Sequence, residues 1–226
     1  AALRAAGIEY RGVELESLLD RGAIRDLVAL AKALLHGGDR TAWLAVLRAP
    51  WCGLSLADLL AVVGDDGRAL VPQRIADPAA IAGLSTEGAA RLGRLWSALG
   101  AAIAARGQRS LGCWLKSAWL ALAGPATIDD ESDLANAELL FAALEQLELE
   151  VGCSPEASAI DTAVEGIMAS PVGSETAQVQ VMTIHRAKGL EFDHVVIPDL
   201  QRGVRGRERP LLYWTAVATG PGSRGI

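Results

Sequence analysis

The sequence predicts an α/β fold in which two mixed segments flank a middle that is nearly all helix. Alternation of apolar and polar residues at Val179, Val181 and Thr183 indicates a strand late in the chain, and residues 8–13 indicate a short strand near its start. From about residue 51 to 176, apolar residues recur at helical spacing between Gly and Pro interruptions. The helical middle and the two strand-bearing flanks together define the predicted fold class.

Composition is that of a folded protein with an ample apolar core. Of the 226 residues, 51% are apolar, so wholesale disorder is not expected. The formal net charge of −6 argues against a protein whose whole surface binds nucleic acid, but it is compatible with a local basic groove. The sequence shows neither an uncharged apolar run of membrane-spanning length nor the layout of a signal peptide. The first residue is not Met, which suggests a piece of a longer protein.

The cysteines argue against a metal site. Cys52, Cys113 and Cys153 lie far apart and form no C-x-x-C pair, so we expect no bound zinc. Three is also an odd number, which is a poor basis for a disulfide framework. We expect reduced, mostly buried thiols in a cytosolic protein.

The first fifty residues are expected to contain the end of a helix, a strand and two further helices. Gly7 separates the helix end at residues 1–6 from the strand. The clearest helix lies within residues 14–38, and its apolar face comprises Ile24, Leu27, Val28, Ala31, Leu34 and Leu35. Gly37 and Gly38 end it, with His36 as a helix-end residue. Asp39 is predicted to cap a helix through Arg48 that Pro50 ends.

The middle of the chain is predicted to begin with a helix capped by Ser55 and Asp58, a Ser-x-x-Asp start. Residues 64–85, rich in Gly, Pro and Asp, predict a long surface connection. A long helix over residues 86–106 then turns five side chains inward: Leu92, Leu95, Trp96, Leu99 and Ile103.

Three further helices are expected before the late strand. Ser110 is predicted to cap the first, over residues 111–123, whose core stripe comprises Trp114, Leu115, Ala118, Trp119 and Leu122. The second covers residues 134–151, with three leucines inward: Leu140, Leu144 and Leu147. Pro155 opens a short helix to Met168. Residues 170–176 are predicted to be a linker.

Some residues of the helical middle have two interpretations. Trp43 and Trp51 suit the core better than a base-stacking platform. A solvated helix face is favoured over a contact with duplex DNA or a partner for a group of four arginines: Arg91, Arg94, Arg106 and Arg109.

Residues 178–200, QVQVMTIHRAKGLEFDHVVIPDL, hold the most informative side chains of the sequence. The β-branched run 194–197 predicts a second short strand, closed by Pro198. Between the two predicted strands lies a polar loop, TIHRAKGLEFD. Polar side chains that a rigid sheet positions in this way are typical of a functional site, and a merely solvated loop is the alternative.

The residue types in this loop indicate two kinds of ligand. Four side chains suit a phosphate, as hydrogen-bond donors or as positive charges: Thr183, His185, Arg186 and Lys188. Gly189 permits a tight turn or a close backbone approach. Glu191 only accepts hydrogen bonds at neutral pH, so it suits a pair of sugar hydroxyls and not a phosphate.

The stretch closely resembles motif V of the UvrD/Rep/RecB group of superfamily-1 DNA helicases. The family pattern is roughly V-x-x-M-T-x-H-x-[AS]-K-G-L-E-[FW]. The positions that fit it are Val179, Met182, Thr183, His185, Ala187, Lys188, Gly189, Leu190, Glu191 and Phe192. LRAAGIEY, at residues 3–10, resembles the segment that follows the first strand of the second motor domain in this family. AWLAVLRAPWCGLSLADLL, at residues 42–60, resembles a segment of RecB/AddA-like helicases.

The resemblance implies a RecA-like, P-loop NTPase-type motor domain, called 2A, that a mostly helical 2B-like domain interrupts. It places the first part of 2A at residues 1–50, the insertion at 51–176 and the second part of 2A, with motif V, at 177–226. It implies that the four phosphate-directed side chains contact single-stranded DNA. It also implies that Gly189 and Glu191 contact ATP, the latter at the ribose, so that one loop senses both ligands.

A phosphate-binding loop of the form G-x-x-x-x-G-K-[ST] does not occur in these residues, nor does the Arg-containing motif that follows motif V in the family. ATP and Mg²⁺ are therefore expected to bind mainly to a missing N-terminal motor domain. The resemblance therefore implies a fragment, inactive alone, of an ATP-dependent DNA helicase of repair and recombination in the bacterial cytosol. Expected partners are single-stranded or duplex DNA, the missing domain and a nuclease domain or subunit.

Two alternatives stay open at this point. The first is a free-standing, catalytically dead helicase-like module that binds DNA or a protein. The second is a structural helical protein in which the resemblance of the loop is a coincidence. A phosphate loop upstream in the same gene distinguishes the motor from the free-standing module.

Four arginines cluster in the C-terminal piece: Arg202, Arg205, Arg207 and Arg209. This piece resembles the RecB-like continuation after motif V. The cluster is a second candidate for contacts with DNA phosphates, and a solvated loop is an equal alternative. The run LLYW at residues 211–214 predicts another strand of the sheet.

Overall fold

Helices form most of the part of the chain that the structure, a computed structural model, describes. The described residues are 3, 6–13, 15–64, 69–152, 155–170, 172–173 and 177–198. The helices are α1 (Gly22–Leu35), α2 (Arg40–Arg48), α3 (Leu56–Val63), α4 (Val71–Ala76), α5 (Pro78–Ala82), α6 (Thr86–Ala104), α7 (Leu111–Ala121), α8 (Ser132–Val151), α9 (Ala157–Val164) and α10 (Ile184–Ala187). Single 3₁₀ turns lie at Leu18–Asp20 and Gly124–Thr127, and the strands are β1 (Tyr10–Gly12), β2 (Val172–Gly173) and β3 (Val179–Val181).

Strand β1 is the centre of a small mixed sheet with the strand order β2-β1-β3. It runs antiparallel to β2, where Gly12 faces Val172, and parallel to β3, where Gly12 faces Val181. The Val13 amide extends the second pairing by donating to the Val181 carbonyl at 2.9 Å. The early and late strands of the prediction are therefore confirmed, and they are neighbours.

The predicted linker over residues 170–176 is wrong at its centre. Val172–Gly173 forms strand β2 and pairs with β1. The local composition of Ser, Pro and Gly favours a loop, but the pairing comes from a strand that lies far away in the sequence.

The predicted helix of the first segment is confirmed by its burial. All six residues of the predicted apolar face of α1 are buried. His36 follows the last residue of the helix at its C-cap, as predicted. Its Nε2 lies 3.0 Å from the Pro155 carbonyl oxygen. Asp39 caps α2 by accepting the Ala42 amide hydrogen bond at 2.9 Å, which confirms the predicted cap.

Two short helices occupy the region where the sequence predicts a long surface connection. In α4 and α5 the side chains of Val71, Ile75 and Ala80 are buried, so the prediction for residues 64–85 is wrong. Each of these helices has Pro in its first turn, where Pro starts a helix and does not break one. Asp77 caps α5 by accepting the Ala79 amide hydrogen bond at 2.9 Å.

The long helices α6, α7 and α8 confirm most of the predicted inward side chains. In α6 the predicted leucines are buried, but Ile103 is 39% exposed, and Ala102 in the last turn is buried instead. The full predicted stripe of residues 111–123 is buried, as are the three predicted leucines of α8. The prediction is wrong at Ile103 because, in the last turn of α6, the neighbouring residue Ala102 faces the core.

The N-terminus of α7 and the C-terminus of α9 differ from the prediction. Ser110 stands at the cap position of α7, but its hydroxyl donates to Glu145 at 3.0 Å, and the Leu111 amide donates to Glu148 at 2.7 Å. The Glu148 carboxylate of α8 therefore takes the place of the predicted serine cap, and Glu145 binds the serine hydroxyl. Helix α9 ends at Val164 and not near residue 168, and Gly166 follows with a φ of 83°.

The chain divides into two compact units, Ala1–Ala187 and Lys188–Ile226. The first unit contains the sheet and the helices given above, and its hydrophobic core extends from Leu18 to Ala169 along the sequence. The three-part division at residues 1–50, 51–176 and 177–226 stays a prediction, as does the RecA-like assignment.

Candidate functional site

Strand β3 leads directly into the first half of the predicted polar loop. Thr183 follows the strand and starts helix α10: its carbonyl oxygen accepts from the amides of Arg186 and Ala187, both at 3.0 Å. Its hydroxyl oxygen lies 3.4 Å from the Arg186 amide as an acceptor. Threonine favours this position because its side chain can satisfy an amide of the first turn. Accepting that bond leaves the hydroxyl hydrogen available for a ligand.

The side chains predicted to contact phosphates are exposed in this first unit. Thr183, His185 and Arg186 all lie on the protein surface. They occupy a single turn of helix, so three hydrogen-bonding groups are presented within four residues of sequence directly after a paired strand. The sheet thus holds one end of the turn, which is the arrangement expected of a binding loop.

The second unit begins with the other half of the loop. Lys188 and Glu191 are exposed. Gly189 has a φ of 85°, and no heavy atom lies within 4 Å of the position that a Cβ would take. A left-handed backbone conformation favours glycine, and the open space leaves this part of the backbone accessible to a ligand.

The predicted second strand at residues 194–197 is wrong. These residues have an irregular backbone, and Val195 and Val196 are 68% and 86% exposed. β-branched residues favour a strand, but a strand also needs inter-strand hydrogen bonds and burial of one face. Strand β3 itself lies partly on the surface, where Val179 is 41% exposed.

The arginines of the helical middle contact the protein itself where the structure gives their partners. Arg91 donates to the Gly53 carbonyl at 2.9 Å and to Glu87 at 3.0 Å through Nε. Arg109 donates to the Ser117 hydroxyl at 3.1 Å. These contacts favour the structural interpretation over a contact with duplex DNA. Trp43, 1% exposed, is a core residue as predicted, and Trp51 is partly buried against the core.

A buried polar cluster beside the sheet was not accessible to sequence reasoning. Asn136 of α8 is 0% exposed, and its side-chain oxygen accepts from the Ser170 amide at 2.6 Å. Its amide nitrogen donates to Asp133 at 3.1 Å, and Asp133 also accepts from Arg21 Nε at 2.6 Å. The hydrogen bond to Asp133 raises the pKa of Arg21 above its ordinary value, so the guanidinium stays charged. No local pattern marks these residues, which are distant in the sequence.

The thiols confirm the prediction in part. Cys52 is buried, and burial raises its pKa to about 11. Cys113 is exposed, contrary to the expectation of mostly buried thiols, because it lies on the outer face of α7 and contacts Glu145 at 3.3 Å. Cys153 lies outside the described residues. Among the described residues, no group of three or more His, Cys, Asp or Glu side chains is arranged to hold a metal ion.

The C-terminal arginines, Arg202, Arg205, Arg207 and Arg209, and the predicted strand at residues 211–214 lie outside the described residues. Over the part of the chain that is described, the helices are too short or too polar to cross a membrane.

Comparison with known families gives a match over the region that contains the loop. Residues 163–207 match the family model of the UvrD-like helicase C-terminal domain. The match includes α10, Gly189 and Glu191, together with the end of α9 and strands β2 and β3, which precede the loop in sequence. No curated protein matches the chain at a significant level.

Proposed function

We propose that this chain is part of an ATP-dependent superfamily-1 DNA helicase of the RecB/AddA-like kind, which acts in DNA repair or recombination. The observation that carries the proposal is the turn of exposed donors directly after β3, inside the region that matches a UvrD-like helicase C-terminal domain. In this proposal the loop of residues 183–191 couples contact with single-stranded DNA to the binding of ATP. The RecB/AddA-like subtype rests on the resemblance of LRAPWCGL, at residues 47–54, and of the Arg-rich C-terminal piece.

The DNA-facing half of the loop comprises Thr183, His185, Arg186 and Lys188. Hydroxyl, imidazole, guanidinium and ammonium groups all donate hydrogen bonds, and the last two add positive charge. Contacts of this kind hold the phosphate backbone without selecting a base sequence, as a motor that moves along DNA requires. The exposure of all four side chains supports this role.

The nucleotide-facing half comprises Gly189 and Glu191. The exposed carboxylate has the acceptor oxygens that two ribose hydroxyls need, and the open backbone at Gly189 leaves room for a ligand. These residues do not fit the triphosphate or Mg²⁺: the phosphate-loop pattern is absent from the sequence, and the described residues hold no cluster of metal ligands. The proposed contact of Glu191 is with the ribose, and the triphosphate and Mg²⁺ are proposed to bind mainly to another motor domain.

The proposal assigns the rest of the ATP site to another motor domain of the same protein. Phosphoryl transfer needs a phosphate loop, a bound metal ion and arginine side chains together, so this chain alone is proposed to be inactive. DNA, the other motor domain and a nuclease domain or subunit are the proposed partners, and the bacterial cytosol is the proposed location.

The reading frame around this segment in its source DNA tests the proposal. A phosphate-loop pattern upstream, after a strand and before a helix, together with an Arg-bearing helicase motif downstream, is the expected result. In-frame stop codons just outside both ends would contradict it and would favour the free-standing DNA- or protein-binding module.

A further inference from the structure

Asn136 uses both ends of its side chain in the protein interior. Its oxygen accepts from the Ser170 backbone amide at 2.6 Å, and its nitrogen donates to Asp133 Oδ1 at 3.1 Å. The partners define the orientation of the amide, since a backbone N–H needs an acceptor and a carboxylate needs a donor. A buried polar group of this kind is stable only while its partners stay in place.

Asp133 links Asn136 to the segment that follows β1. The same carboxylate oxygen accepts from Arg21 Nε at 2.6 Å, and Arg21 also donates to Asp130 at 3.1 Å and to Ser132 at 3.2 Å. The side chains of Arg21 and Asp133 are only 15% and 13% exposed. Charge-assisted hydrogen bonds with little exposure to solvent hold their geometry better than surface ion pairs do.

The two ends of this cluster lie on two segments that are hydrogen-bonded to each other. The Ala169 amide donates to the Glu16 carbonyl at 3.0 Å, and the Leu18 amide donates to the Ile167 carbonyl at 2.8 Å. Ser170 lies just before β2, and Arg21 lies beyond β1, the strand that separates β2 from β3. The placement of β1 therefore depends on both segments, and β3 pairs with β1.

We infer that Asn136, with Asp133 and Arg21, positions the β1–β3 pair and through it the turn that begins at Thr183. The three side chains, which we call the α8 polar clamp, join the start of α8 to the two segments that carry β1 and β2. Asn136 is a positioning residue, because it acts through the sheet. The effect on DNA contact rests on the proposed function, whereas the effect on the sheet does not.

Hydrogen exchange on the full 226-residue chain tests the positioning role directly. Asn136→Leu keeps the side-chain volume but leaves the Ser170 amide unpaired. We expect amides of β1, β3 and α10 to exchange about tenfold faster, because they open locally, while amides of α7 change little. Leu144→Ala is the matched control, because it truncates a buried side chain of the same helix that is not part of the clamp. It should not speed amide exchange in the sheet more than in α7.

The double variant Asn136→Asp with Asp133→Asn, which swaps the two side chains, tests whether the clamp can be restored. Asn136→Asp alone keeps an acceptor for Ser170 but places a second carboxylate beside Asp133, so exchange in the sheet should accelerate. Adding Asp133→Asn restores a donor and acceptor pair, and it should return most of the protection. This pair of variants carries the test if Asn136→Leu does not fold.

The outcomes separate the two proposals. Three results would overturn the positioning role. Amide hydrogen exchange could accelerate equally in α7 and in the sheet, it could stay unchanged in the sheet, or the double variant could fail to restore protection. In the full-length protein, Asn136→Leu should raise the single-stranded DNA concentration that gives half-maximal ATP hydrolysis, with the maximal rate retained. The two proposals can also fail separately. If Asn136→Leu speeds amide exchange in the sheet but the unmodified full-length protein shows no DNA-stimulated ATP hydrolysis, the helicase proposal is rejected and the clamp stays supported.

Discussion

Asp58 of α3 binds Ser85, the residue before α6, through both of its carboxylate oxygens. Oδ1 accepts the Ser85 amide hydrogen bond at 2.7 Å, and Oδ2 accepts that of the Ser85 hydroxyl at 3.0 Å. Ser55, at the start of α3, donates to the same Oδ2 at 2.7 Å. One buried carboxylate therefore joins the N-termini of two helices, where a negative charge is favourable.

This arrangement predicts that acid weakens the fold at Asp58. The hydrogen bond from the Ser85 amide, followed by that from Ser55, lowers the pKa of Asp58 below the ordinary carboxyl value. A lowered pKa in the folded state gives stability that is present above the unfolded-state value of ~3.9 and is lost as the pH falls through the folded-state value. Thermal unfolding between about pH 5 and pH 2 should show a steeper loss of Tm for the unmodified chain than for Asp58→Asn.

The control for this prediction is Asp129→Asn, which changes an exposed aspartate. Its pH dependence should follow that of the unmodified chain. Parallel curves of Tm against pH for the unmodified chain and Asp58→Asn would contradict the prediction, because they would show that the charge of Asp58 does not contribute to stability.

Close packing against Asp58 predicts opposite effects for two glycines of α6. A Cβ at Gly88 would lie 2.6 Å from the Asp58 carboxyl carbon, whereas a Cβ at Gly93 would meet nothing within 4 Å. Gly88→Ala should therefore destabilise the fold by about 1–3 kcal/mol through overpacking. Gly93→Ala should stabilise it by roughly 0.5–1 kcal/mol, since alanine favours a helix interior.

Urea unfolding of the two alanine variants measures this difference. The substitution and the helix are the same, so helix propensity alone gives both variants the same sign. A stabilising effect at both positions would contradict the tight approach of α6 to Asp58.

The proposed DNA contact predicts a change in salt dependence for Arg186→Ala. In the full-length protein, loss of one phosphate contact should lower the slope of log affinity for single-stranded DNA against log salt by roughly 0.7. Arg94→Ala, which also removes an exposed arginine but lies in α6, is the matched control and should leave the slope unchanged. Fluorescence anisotropy with a labelled oligonucleotide gives both slopes, and equal slopes for the two variants would place Arg186 outside the DNA contact.

Helices with a strong apolar period and clear end residues were predictable from the sequence. The six inward residues of α1, the Asp39 cap of α2 and the core stripe of α7 follow from local spacing and local capping chemistry. In these elements the residues that determine the structure are neighbours in the sequence.

Features that depend on distant residues were not predictable in this way. Strand β2 exists because β1 pairs with it, and the cap of α7 comes from Glu148 in another helix. Asn136 resembles an ordinary polar position of α8 until the Ser170 amide is placed beside it. For the candidate site, the sequence showed which side chains the loop carries. It did not predict the one-turn helix α10 or the irregular backbone at residues 194–197.

The central claim is that one loop senses both DNA and ATP, and Glu191→Ala tests it most directly. The measurement is ATP hydrolysis by the full-length protein at saturating single-stranded DNA, with Glu150→Ala, another exposed glutamate, as the control. Loss of the proposed ribose contact predicts a KM for ATP that rises about tenfold or more in Glu191→Ala alone. Hydrolysis kinetics indistinguishable from those of the unmodified protein would contradict the contact between this loop and ATP.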